Sequence, residues 1–148
     1  MKYKAFSFLE FTIAIAVLLI IITYTVPKMA NYMFSNQLEV AGEGVIHVLR
    51  KAQAQSATQV NDEIWQVDFD EVAGTYTFGS SDEATYDIVY TLPGTVSFTD
   101  VTLTGAGDVV IFDQLTGASA TDGTIELTGS DGSTYSISIN TKGHVDKS

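Results

Sequence analysis

Few side chains in this 148-residue chain are placed to do chemistry. His47 and His144 are its two histidines and it has no cysteine, so neither a thiolate zinc site nor a disulfide is available. A Ser-His-Asp triad needs a positioned nucleophile and base, but no Gly-x-Ser-x-Gly elbow occurs and His144 is expected in a C-terminal tail. No glycine-rich loop precedes a helix to cradle a phosphate; the C-terminal glycines fall between strands, where turns need them. We therefore expect no catalytic residue, no metal ligands and no cofactor. Three acidic turns, Ser80-Ser81-Asp82-Glu83, Thr121-Asp122-Gly123 and Ser130-Asp131-Gly132, carry oxygens of the kind calcium takes. None has the EF-hand spacing, and Asp-Gly pairs also make tight hairpin turns, so we read them as turns.

One carboxylate stands out by its cost. From Phe6 to Val26 the chain is a nearly continuous apolar run of 21 residues in which Glu10 is the sole charge. At about 1.5 Å per residue a helix of this length spans roughly 30 Å, the thickness of a bilayer's hydrocarbon core. An ionised carboxylate in such a setting costs several kcal/mol unless it reaches the headgroups or finds a partner. Lys2 and Lys4 before the run and Lys28 after it argue for a single span with its N-terminus in the cytoplasm and its bulk exported. A secretory signal has its small-residue cleavage site after the apolar core. Here the small residue, Ala5, precedes it. Cleavage after Ala5 leaves the helix on the mature protein and creates a new ammonium on Phe6, four residues before Glu10.

These residues resemble the N-terminal motif of the type IV filament superfamily, the type IV pilins and type II secretion pseudopilins. Ala5, Phe6, Glu10 and Pro27 match its pattern of a short basic leader ending in a small residue, a Phe, a Glu at the fifth mature position and a Pro near the helix end. Ala5 departs from the usual Gly. The resemblance implies a leader over residues 1–5, N-methylation of Phe6, an assembly role for Glu10 and a helix kink at Pro27.

Beyond Pro27 the helical pattern resumes. Leu38, Ala41, Val45, Val48 and Ala52 step by three and four onto one face. Gly42 and Gly44 interrupt good helix formers, each at about 1 kcal/mol relative to Ala, and we read them as tolerated flaws. The helix should fade near Thr58–Asn61. After Asp62 the period becomes two. Trp65, Val67 and Phe69 alternate with polar residues, and Tyr76 with Phe78 follows a turn at Val72-Ala73-Gly74. Tyr86, Ile88, Tyr90 and Leu92 form a third strand closed by Pro93-Gly94, with the tyrosines packing rather than presenting a glycan platform. A phase slip at Thr99-Asp100 between Phe98 and Val101 suggests a bulge or turn. Val109 to Phe112 is a short apolar strand, and Ile125 with Leu127 pairs with Tyr135, Ile137 and Ile139 through Gly129-Ser130-Asp131-Gly132. The expected fold is α+β: a long N-terminal hydrophobic α-helix, pilin-like, followed by an antiparallel β-sheet or sandwich domain. Its parts are residues 1–5 (leader), 6–26 (membrane or filament-core half of the helix), 27–61 (soluble half) and 62–148 (β-rich domain).

A second resemblance covers the C-terminal third. Phe112, Gly117, Gly123-Thr124-Ile125-Glu126-Leu127, Tyr135-Ser136-Ile137-Ser138-Ile139 and Gly143-His144-Val145 run in the order of the GspH/FimT-type minor pilin domain. His144 stands where Arg is common, and Asp146-Lys147-Ser148 replaces the basic tail that some FimT-like members use to hold DNA. The charge points the same way. The net charge is −11, and residues 52–141 hold 14 of the 18 acids and no Lys or Arg, so no nucleic-acid partner is expected.

The resemblance implies a minor pilin or pseudopilin of a type IV pilus or type II secretion pseudopilus. It would be stored in the inner membrane and then built into an extracytoplasmic filament. The implied partners are other pilin or pseudopilin subunits, a prepilin peptidase and an inner-membrane assembly platform. The alternatives are a major pilin of an adhesion or motility fibre, and a membrane-anchored binding domain that does not assemble and takes calcium or a basic ligand.

Overall fold

A computed structural model describes residues 8–105 and 107–148, and for residues 25–28, 30 and 31 the backbone alone. The chain forms two compact units, Met1–Met33 and Phe34–Ser148. One helix, α1 (Phe8–Ala57), is followed by a 3-10 turn (Val60–Asp62) and eight strands. These are β1 (Trp65–Asp70), β2 (Thr75–Ser80), β3 (Ile88–Thr91), β4 (Val96–Leu103), β5 (Val109–Ile111), β6 (Gly123–Gly129), β7 (Thr134–Ile139) and β8 (Val145–Lys147). The architecture is the expected α+β, a long N-terminal helix leading into antiparallel sheets.

Within the Phe34–Ser148 unit the strands form two four-stranded antiparallel sheets, ordered β3-β2-β1-β5 and β4-β6-β7-β8. Period-two alternation sets the faces. Trp65, Val67 and Phe69 of β1 are buried, while Asp68 and Asp70 face out. The two sheets share one core. The Phe69 ring of β1 meets the Phe98 ring of β4 edge-on, with centroids 5.6 Å apart. The helical stripe closes that core: Leu38, Ala41, Val45, Val48 and Ala52 are all buried, joined by Ile46 and Leu49. Each fully buried Val, Leu or Ile contributes about 1.5–3 kcal/mol of transfer free energy.

The phase slip at Thr99-Asp100 is a β-bulge. The β4–β6 register shifts between Phe98 and Asp100, so Val101 turns inward three residues after Phe98 and both are buried. The β6–β7 hairpin pairs Ile125 with Ile137 and Leu127 with Tyr135.

Three local readings are corrected. Tyr86 lies in a 3-10 turn (Ala84–Tyr86) rather than in β3, which begins at Ile88. The C-terminal segment is not a tail. Val145–Lys147 forms β8 on β7, with Val145 buried, because the turn at Gly143 brings this segment back beside β7. Gly42 is not a flaw. A Cβ there would lie 2.5 Å from two carbons of the Tyr135 ring, so the missing side chain is what lets β7 approach the helix.

Candidate functional site

The candidate site is the N-terminal part of α1. Described by itself, the Met1–Met33 unit presents apolar side chains to the exterior around the helix: Phe8, Leu9, Phe11, Ile13, Leu18 and Leu19 are each more than half exposed, as are Ile20, Met29 and Tyr32. Soluble chains rarely display a contiguous apolar surface of this extent unless lipid or protein covers it. Two of its threonine hydroxyls bond within the helix. Thr12 Oγ1 donates to the carbonyls of Leu9 (2.9 Å) and Phe8 (3.2 Å), and Thr23 Oγ1 donates to that of Leu19 (2.8 Å). Each of these two hydroxyls folds back on the preceding turn, so its donor is paired inside the helix.

Glu10 lies in the first turn of α1 and is exposed. A carboxylate there favours the positive end of the helix dipole. Ala5 and Phe6 lie outside the described residues, as does the side chain of Pro27, whose backbone lies within the uninterrupted α1. Among the described residues no helix is long and apolar enough to cross a membrane. The apolar run expected to span one, residues 6–26, begins outside the described residues and ends at Val26, for which the backbone alone is described.

Several of the remaining polar groups hold the fold. Among the described residues no group of three or more His, Asp or Glu side chains is placed to hold a metal ion. In two of the acidic turns the carboxylates, Asp122 and Asp131, accept bonds from neighbouring residues. Asp131 accepts from the Ser133 hydroxyl (2.5 Å), the Ser133 N–H (3.1 Å) and the Ser35 hydroxyl (3.0 Å). The bonds from Ser133 hold its carboxyl below the usual carboxylate range. Asp122 accepts from Thr104, and Glu63 accepts from Ser80 (2.5 Å). His144 Nε2 lies 2.5 Å from Asp146 Oδ2, with both side chains exposed.

Several positioning residues carry no signal at the sequence level. Ser56 is fully buried, and its Oγ accepts the Trp65 N–H at 3.1 Å. The Ser56 carbonyl takes the N–H of Leu115 (3.2 Å), and Gln53 Nε2 donates to the Gly117 carbonyl (3.0 Å). The β5–β6 connection thus supplies a donor to one carbonyl near the helix end, and the helix in turn satisfies a carbonyl of the connection through Gln53. Tyr135 and Glu43, 92 residues apart, meet through a 2.9 Å hydrogen bond from the phenol to Glu43 Oε1.

No protein-family model matches the chain, and no curated protein matches it. Among solved structures it is similar to the minor pseudopilin EpsH from the type 2 secretion system of Vibrio cholerae, with a TM-score of 0.57 and 9% sequence identity. The match covers 76% of this chain and 96% of that one. The likeness shows the fold: a helix leading into two antiparallel sheets in the manner of a pseudopilin.

Proposed function

We propose that this chain is a structural subunit of a type IV-like filament, a minor pilin or pseudopilin of the GspH/FimT kind, and that it is not an enzyme. One observation carries this reading. A helix with an exposed apolar surface leads into a folded α+β unit that has a pseudopilin fold. In this reading residues 6–26 hold the subunit in the inner membrane, N-terminus inside, until a prepilin peptidase cuts after Ala5 and Phe6 is methylated. An inner-membrane platform then moves the subunit into the filament, where its helix packs among those of other pilin or pseudopilin subunits. The β-rich unit lies outside.

Glu10 supplies register. Its carboxylate pairs with the Phe6 ammonium of a neighbouring subunit in an apolar setting. Each charge is costly alone, and removing one partner of a buried pair costs about 3–5 kcal/mol because the other stays uncompensated. The test compares membrane and sheared-filament fractions of wild type and Glu10→Gln in one strain. Normal membrane insertion with reduced incorporation of the variant supports the reading, and equal incorporation removes the pairing role.

A further inference from the structure

Two open sheets have four edges, and an edge strand presents unpaired N–H and C=O groups that other chains can pair with. Three of the four edges here are covered, interrupted or charged. On β5 the outward carbonyl of Ile111 accepts the Ala120 N–H (3.1 Å), because the following connection folds back along the strand. On β8 the outward carbonyl of Val145 accepts Arg50 Nη2 (2.9 Å), and the strand is three residues long and carries Asp146 and Lys147. β4 is interrupted by its bulge and carries Asp100. Bulges and charges of this kind keep an edge from pairing.

β3 has none of these devices. Its sequence, Ile88-Val89-Tyr90-Thr91, is β-branched and aromatic, without charge, proline or bulge. Ile88 and Val89 are 45% and 61% exposed. The hydrogen-bond phase follows from the Leu92 N–H, which donates to the Gly74 carbonyl at 3.0 Å. Bonded pairs alternate along an antiparallel ladder, so Tyr90 with Tyr76 and Ile88 with Phe78 also face β2. Val89 and Thr91 then turn their backbone groups away from the sheet, and no hydrogen bond among the described residues occupies them. The strand is held firmly enough to serve as a template, since the Tyr90 ring stacks on Tyr76 with centroids 5.2 Å apart.

Charge selects the occupant. Asp87 immediately precedes β3, its side chain lies against Gly79, and Asp82 and Glu83 stand in the preceding turn. On the same outer face Asp68 titrates above the ordinary carboxylate range, chiefly from burial and then from Asp108, Asp70 and Asp87. We propose that the open edge of β3 is a docking site for an extended, lysine- or arginine-bearing segment of another protein, which joins the sheet as a fifth strand. A second copy of this chain does not fit the role. Among the described residues Lys147 is the sole lysine or arginine in a strand, and it sits on β8. The proposal is independent of the filament reading, because it rests on the Phe34–Ser148 unit alone.

The test uses the full chain in neutral detergent and two labelled peptides of equal length, one alternating valine with lysine and one alternating valine with glutamate. Fluorescence anisotropy should show the lysine peptide binding roughly tenfold or more tightly than the glutamate peptide. Amide exchange at Val89 and Thr91 should slow on binding. Val89→Pro deletes an outward N–H and leaves the β2–β3 ladder intact, so it should abolish binding. Asp87→Lys, which leaves the backbone untouched, should reverse the peptide preference and keeps the test decisive if the proline variant misfolds. Equal affinity for both peptides, no binding, unchanged exchange at Val89 and Thr91, or binding indifferent to both substitutions would overturn the proposal. Self-association of the chain through β3 would overturn it as well, by making a second copy the occupant.

Discussion

The Tyr135 ring lies against the bare backbone of Gly42, where a Cβ would sit 2.5 Å from Cδ1 and Cε1 and 2.8 Å from Cγ. The ring cannot yield easily, because Tyr135 is buried and its hydroxyl is tied to Glu43. Two effects therefore oppose each other in Gly42→Ala. Helix propensity gains about 1 kcal/mol, and overpacking costs about 1–3 kcal/mol. Overpacking should win, lowering the thermal midpoint. At Gly44 the nearest atom to a Cβ is the Tyr76 hydroxyl at 3.4 Å, an ordinary contact. Gly44→Ala should be neutral or stabilising. Thermal melts of the two variants beside wild type check both signs.

Tyr135 also sets an alkaline limit. Burial first, and then the bond to Glu43, push its phenol up to about 12 from the ordinary value of 10.0. The unfolded chain gives up this proton first, so between those values it binds fewer protons than the native state and stability falls as pH rises. The contribution is complete below about pH 10 and is lost on passing through about 12. Tyr76 is shifted upward too, mainly by burial, and adds in the same sense. Tyr135→Phe should flatten, without abolishing, the fall in denaturant midpoint across this range.

Ser56→Ala removes the acceptor of the Trp65 N–H inside the core. An orphaned buried donor costs about 1–3 kcal/mol, more than the small gain in helix propensity from alanine. The variant should lose stability in urea titration, and Ser56→Thr, which keeps an acceptor, should lose less. Equal losses in the two would mean that volume, not the hydrogen bond, decides at this site.

Processing is checked at the other end of the chain. Protein extracted from membranes of cells with an active prepilin peptidase should begin at Phe6 and carry one added methyl group on its amine. Intact-mass and N-terminal peptide measurements read this directly. A terminus at Met1 or Lys2 would favour a membrane-anchored domain that does not assemble.

The sequence by itself determined the parts whose signal is local. A 3.6-residue period placed Leu38, Val45 and Val48 on a buried helical face, and a two-residue period placed Trp65, Val67 and Phe69 on a buried sheet face. The slip between Phe98 and Val101 was readable as a bulge because side-chain alternation counts residues one at a time. Glu10 stands out for a similar reason, since a lone charge in an apolar run is conspicuous without knowledge of its neighbours, and its assembly role is the proposal made above.

Only the tertiary structure decided what depends on residues far apart in the chain. Gly42 looks like a weak point in a helix until Tyr135 arrives from 93 positions away to fill the space above it. Val145 carries no strand period of its own in a three-residue segment, and β7 gives it a ladder and a core. Whether an edge is open is likewise not written in its strand. Ile111 and Val145 are closed by Ala120 and Arg50, and Val89 stays open because no such group reaches it among the described residues. Periodicity reports how a segment divides its own faces, while pairing and closure depend on what the rest of the chain brings alongside.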